Sequence, residues 1–92
     1  MRISWSARAR ADLDRLHDFL VSYSFETADG AIDLLIDAPK ALLRFPRRGP
    51  RVRDFDAREV REFRAGTYVL RYELRHDEIH VVRVFHMREN RS

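Results

Sequence analysis

The sequence contains no cysteine and only three glycines and three prolines in its 92 residues. Without thiols there is no disulfide to brace the fold and no thiolate metal site, a composition that suits a reducing compartment. The glycines, Gly30, Gly49 and Gly66, are too scattered to form a phosphate-cradling loop. No stretch approaches the roughly 20 apolar residues of a membrane span. The opening Met1-Arg2-Ile3-Ser4-Trp5 carries no apolar signal core before the charges at Arg8, Arg10 and Asp12. A cytoplasmic protein with no membrane partner and no cofactor is expected. Repeats, low-complexity tracts and linkers are also missing, so residues 1–92 are expected to form one domain. A chain this short buries only about two thirds of its unfolded surface, which predicts a thin core.

Histidine is sparse, and its spacing argues against a metal. His80 and His86 share strand parity but lie six residues apart, about 20 Å along an extended chain, and His76 falls in a turn. His17 reads as a boundary residue on a helix. His86, between Arg83 and Arg88, is the one histidine placed for proton exchange or phosphate contact.

Arginine is abundant instead. Seventeen of the eighteen basic residues are Arg, the exception being Lys40. Residues 1–46 hold six basic and seven acidic groups, a net of −1, whereas residues 47–92 hold twelve and eight, a net of +4. A GC-rich genome accounts for Arg over Lys but not for this asymmetry. Arg forks match phosphate and carboxylate bidentately, so the second half suits RNA, DNA or an acidic protein.

The hydrophobic periodicity changes along the chain. Arg2 to Trp5 reads as a short strand, and Ser6 as the N-cap of a helix. Ala9, Leu13, Leu16, Leu20 and Tyr23 then step 4, 3, 4, 3, an amphipathic stripe widened by Phe19, with Arg8, Asp12, Arg15 and Asp18 on the solvated side. After a break at 24–27, capped by Ser24 or Thr27, the pattern repeats at Ala28, Ile32, Leu35, Pro39 and Leu42. Pro39 predicts a kink or restart near Ala38, and Phe45-Pro46-Arg47-Arg48-Gly49-Pro50 a stop. Beyond it the period falls to two. Val60–Ala65, Tyr68–Arg75 and Ile79–Phe85 read as strands joined by turns at Gly66-Thr67 and around His76-Asp77, with the last strand central. The predicted fold is α+β: an N-terminal strand, an antiparallel helix hairpin, then a three-strand antiparallel meander, the helices packed on one face of the sheet. The other face, carrying Arg71 and Glu73, is expected to be open.

These segments, in this order, resemble the ParE/RelE superfamily of bacterial type II toxins. The resemblance covers nearly the whole chain. It begins at Ile3-Ser4-Trp5-Ser6-Ala7-Arg8 and passes through Phe45-Pro46-Arg47-Arg48-Gly49. It is most specific in Val60-Arg61-Glu62-Phe63-Arg64, Tyr68-Val69-Leu70-Arg71-Tyr72 and Ile79-His80-Val81-Val82-Arg83-Val84-Phe85-His86. It implies a cognate antitoxin whose flexible tail folds onto the toxin, with Leu13, Leu16, Leu20 and Leu35 as its contacts.

The superfamily divides into inhibitors of DNA gyrase and ribosome-dependent mRNA endoribonucleases. Arg61-Glu62-Phe63 and Arg83-Val84-Phe85-His86 are more similar to the ParE branch. Val69 follows Tyr68 where the nuclease pattern has arginine, a departure from the ParE branch too, and no tyrosine lies beyond Met87. The resemblance therefore implies gyrase inhibition without a catalytic residue. Its expected target-contact surface is Arg61, Arg64, Arg71, Arg83, His86 and Arg88. The alternative is RNA cleavage, which would draw on Arg61, Arg64, His86 and Arg88.

Overall fold

A computed structural model describes residues 1–53, 55 and 57–89. Strand β1 (Arg2–Trp5) leads into helix α1 (Ala7–Val21), helix α2 (Phe25–Asp37) and a 3₁₀ segment (Ala38–Leu43). Strands β2 (Glu59–Ala65), β3 (Tyr68–Arg75) and β4 (Glu78–His86) follow. The α+β layout is as predicted, with the helices on one face of the sheet. The meander pairs antiparallel throughout, and β1 adds to it in parallel alongside β4, giving the order β1-β4-β3-β2. β4 is thus central.

Both helices begin where a hydroxyl satisfies an orphan amide. Ser6 Oγ accepts from the Ala9 amide at 3.0 Å, and Ser24 Oγ from the Thr27 amide at 2.9 Å. Pro39 acts as expected: the α-helical pattern stops at Asp37, and the chain restarts as a 3₁₀ turn with the proline near its start, where a missing donor costs least. Ala9, Leu16 and Leu35 pack on Leu70, Val81 and Val84 in the main cluster. A second cluster joins Leu42 to Tyr72 and Ile79.

One irregularity alters the sheet's two faces. The β3–β4 register shifts between Arg71, opposite Arg83, and Tyr72, opposite Val81, so Val82 is an extra residue on β4. Side-chain alternation reverses there. Ile79, Val81 and Val84 all reach the buried layer, although strict alternation would turn Val84 away. His80 and His86, of equal parity in sequence, therefore sit on opposite faces: His80 opposite Glu73, His86 opposite Tyr68. The α1 N-terminus secures the bulge. The Ser6 amide donates to the Val81 carbonyl at 2.9 Å, and Ser6 Oγ to the Val82 carbonyl at 2.9 Å.

Candidate functional site

β1 ends at Trp5, opposite Val81, which leaves the outer edge of β4 without a strand beyond that point. Asp12 on α1 takes its place. Its carboxylate accepts from the Val84 amide at 2.8 Å and from both arms of the Arg83 fork at 2.8 and 3.2 Å, with Arg15 adding a bond at 3.3 Å. Asp12 is only 5% exposed, although its sequence position placed it on the solvated side of α1. Burial by itself would raise its pKa. The hydrogen bonds from Arg83, Val84 and Arg15 and the charge of Arg83 overcome that and hold the carboxyl below the ordinary aspartate range. Arg83 is correspondingly held charged by the bond to Asp12. A buried carboxylate thus caps a strand edge that would otherwise present unpaired backbone.

The sheet's outer face is not the open bed of cations expected of it. Glu73, 7% exposed, is gripped by Arg58 through two bonds at 2.9 and 3.0 Å and by Arg75 at 3.0 Å. The Arg58 bond lowers its pKa most, against the burial that would raise it. Arg71 donates to Glu62 at 2.8 and 3.0 Å and stacks between the rings of Phe55 and Phe85, 5.8 and 5.7 Å from their centroids. These arginines already have carboxylate partners within the chain.

Arg61 lies on the helix-side face, opposite Tyr72, and spends its fork on Glu59 at 2.9 Å and on the carbonyls of Gly49 and Arg47 at 2.8 and 3.3 Å. Arg64, on the outer face opposite Val69, is exposed and touches Met87 Sδ at 3.1 Å. His86 stands edge-on to Tyr68 with centroids 5.4 Å apart; its Nδ1 accepts from the Arg88 amide at 3.1 Å, which puts the proton of the neutral ring on Nε2. Arg88 is exposed.

Of the six residues expected to contact a target, Arg71 and Arg83 face each other across β3 and β4 but are bound to different carboxylates, and only His86 and Arg88 share a groove. They line an open groove of about 770 Å³ between the C-terminal half of α1, the start of α2 and the end of β4. Its other walls include Phe19, Leu20, Tyr23 and Tyr68. Phe19 and Tyr23, read from the sequence as part of the buried stripe, are 62% and 71% exposed and pack edge to face, with ring centroids 5.7 Å apart. The four leucines assigned to a partner divide. Leu35 is fully enclosed and Leu13 packs against the core, so neither offers a free face; Leu16, 5% exposed, and half-buried Leu20 line the groove. Sequence reasoning missed the aromatic pair because helical spacing cannot tell a stripe that meets the sheet from one that overhangs its end.

Among the described residues no group of three His, Asp or Glu side chains is placed to hold a metal. No helix there is long and apolar enough to cross a membrane.

A family model described as the ParE toxin of the type II toxin–antitoxin system parDE matches residues 3–91. Among solved structures, the chromosomal ParDE toxin–antitoxin system from P. aeruginosa superposes with a TM-score of 0.73 over 94% of this chain and 95% of that one, at 22% identity. At that identity the likeness concerns the fold. No curated protein matches the sequence. The family match spans all the elements described above, from β1 past the end of β4, and the architecture agrees with it. The chain belongs to the ParE toxin family of type II toxin–antitoxin systems.

Proposed function

We propose that this chain is the toxin of a cytoplasmic type II pair, that it arrests growth by binding DNA gyrase without a chemical step of its own, and that a cognate antitoxin neutralises it. One observation carries the choice of gyrase inhibition over RNA cleavage. The bulge at Val82 leaves His86 on the helix side of the sheet, whereas Arg64 stands on the other. Cleavage at a 2′-hydroxyl needs a proton-transfer group and uncommitted cations around a single phosphate. Of the arginines that cleavage would draw on, Arg64 is separated from the histidine by the sheet and Arg61 is already bound to Glu59, which leaves Arg88 beside the histidine in the groove.

The groove supports a docking role. Exposed aromatic surface of this extent marks a protein-interaction site, and its concave, largely apolar shape fits an amphipathic helical segment. Within the expected target surface, His86 and Arg88 at the groove and Arg64 on the outer face are the residues available to a partner; Arg61, Arg71 and Arg83 serve the fold.

The test is a supercoiling assay with purified chain, gyrase, ATP and relaxed plasmid. Loss of supercoiled product with accumulation of cleaved plasmid is expected, and the antitoxin should restore activity. Intact supercoiling together with in-frame cuts in ribosome-bound mRNA would overturn the reading in favour of the endoribonuclease.

A further inference from the structure

Between the 3₁₀ segment and β2 the chain carries Arg44, Arg47, Arg48 and Arg51. A loop this rich in arginine ordinarily floats in solvent, but this one is fastened to the sheet. Tyr72, fully buried, donates its hydroxyl to the Pro46 carbonyl at 2.8 Å and accepts from the Gly49 amide at 3.2 Å. Arg61 reaches the Gly49 carbonyl at 2.8 Å. The Pro50 carbonyl accepts from the Glu62 amide at 3.1 Å, and the Val52 amide donates to the Val60 carbonyl at 2.8 Å, so the loop's end pairs with the edge of β2. Gly49 approaches so closely that a Cβ there would lie 2.1 Å from the Glu62 carbonyl oxygen.

The arginines that this scaffold presents are also distinctive. Arg47 is paired with Glu59. Among the described residues no carboxylate lies within ion-pair distance of Arg44, Arg48, Arg51 or Arg64, whereas Arg58, Arg61, Arg71, Arg75 and Arg83 all have one. Arg44 lies over Phe45 at 5.9 Å and Arg48 over Phe63 at 5.4 Å, cation–π contacts that leave the charge unneutralised. Two adjoining shallow surfaces share Arg48: one contains Arg44 and Phe45, the other Phe63, Arg64 and Met87. Together they form one predominantly cationic strip, separate from the aromatic groove, that also contains Arg47, paired with Glu59, and Glu62, paired with Arg71.

We infer that this strip, centred on Arg44, Arg48 and Arg64, is a second binding surface and that its ligand is the phosphodiester backbone of duplex DNA. Arginine is common at protein–protein interfaces too, but nucleic-acid interfaces are much more positively charged, and three arginines without carboxylate partners fit the second kind. The strip has unpaired cations at its centre, and the fastened loop fixes the backbone that carries Arg48, as β2 fixes that of Arg64, so less chain freedom is lost on contact. Phosphate contact of this kind positions a protein on DNA without reading sequence.

The experiment measures binding of the purified chain to a short fluorescent DNA duplex at graded salt, with no gyrase present, so that its failure is separate from failure of the gyrase reading. The double variant Arg44→Gln/Arg48→Gln is compared with Arg8→Gln/Arg10→Gln, which removes the same charge from the exposed α1 surface. The first should weaken binding roughly tenfold or more and reduce the log–log salt slope by about 1.8, the contribution of two phosphates. The second should change affinity less than about twofold. Arg64→Gln alone should reduce the slope by about 0.9. Both double variants alter exposed side chains outside any ion pair in the described structure, and unchanged thermal melting confirms that they fold. Equal losses from the two double variants, no binding to the duplex, or tighter binding to single-stranded RNA or to polyglutamate than to duplex DNA would each overturn the inference.

Discussion

At the seam between α1 and β4, Arg83 meets Asp12 with both arms of its fork; around the fastened loop, Arg44 and Arg48 meet aromatic rings and, among the described residues, no carboxylate. The side chains are the same, and their neighbours divide the work between them. A guanidinium bound to a buried carboxylate closes a strand edge and belongs to the stability of the fold. One resting over a phenylalanine ring with its charge uncompensated contributes little to folding and is available to a partner. Residue type alone would have assigned both to a single basic surface.

That contrast makes Asp12 the first place to strike. Asp12→Ala leaves Arg83 partly buried without its counter-ion and the Val84 amide without an acceptor, and should destabilise the chain by about 4 kcal/mol in urea unfolding. A loss below about 1 kcal/mol would mean the seam is not held as described. Gly49→Ala attacks the other region through its scaffold. With backbone rather than a flexible side chain in the way, about 3 kcal/mol should be lost, and DNA binding should fall with it.

Tyr72→Phe is gentler, removing one hydroxyl and two hydrogen bonds at a cost of about 1.5 kcal/mol. Its more telling effect is local: the 45–50 segment should become the preferred site of limited proteolysis. Arg44→Gln should shift stability by less than about 0.5 kcal/mol while weakening DNA binding, the reverse of the Asp12 pattern.

The seam, the outer face and the Glu59 pairs that help to hold the loop should all respond to acid. Asp12 and Glu73 both have pKa values lowered in the folded chain. Their stabilising contribution is fully present above the unfolded carboxyl values of about 4, and it is lost as pH falls through the lower folded ones. Urea midpoints should therefore drop between neutral pH and pH values below about 4. The drop should be smaller in Asp12→Asn, which no longer has that carboxyl to protonate.

Much of the fold was legible because it is written locally. Ser6 and Ser24 announce helix starts, Pro39 dictates the change to a 3₁₀ turn, and the fall in period after Pro50 marks the sheet. What escaped depends on residues far apart in sequence. The parallel pairing of β1 with β4 joins residues 76 positions apart, and nothing in Arg2–Trp5 specifies it. The bulge at Val82 interrupts a run of β-branched residues that reads as regular alternation, so the placement of His80, His86 and Arg83 could not follow from parity. Asp12 looked solvated because the strand edge it caps exists only after folding, and Glu73 looked exposed because Arg58 and Arg75 converge on it from other segments. The groove was half visible: its leucines were anticipated, while the outward turn of Phe19 and Tyr23 past the end of the sheet was not.

As the proposed gyrase inhibitor, the chain would act by occupying its partner and would form no chemical bond with it. Titrating purified chain into a fixed amount of gyrase tests that directly. Inhibition should rise in proportion to added chain and reach completion only as toxin and enzyme approach matching amounts. Complete loss of supercoiling at trace toxin, or product RNA accumulating over many turnovers per chain with translating ribosomes, would contradict it.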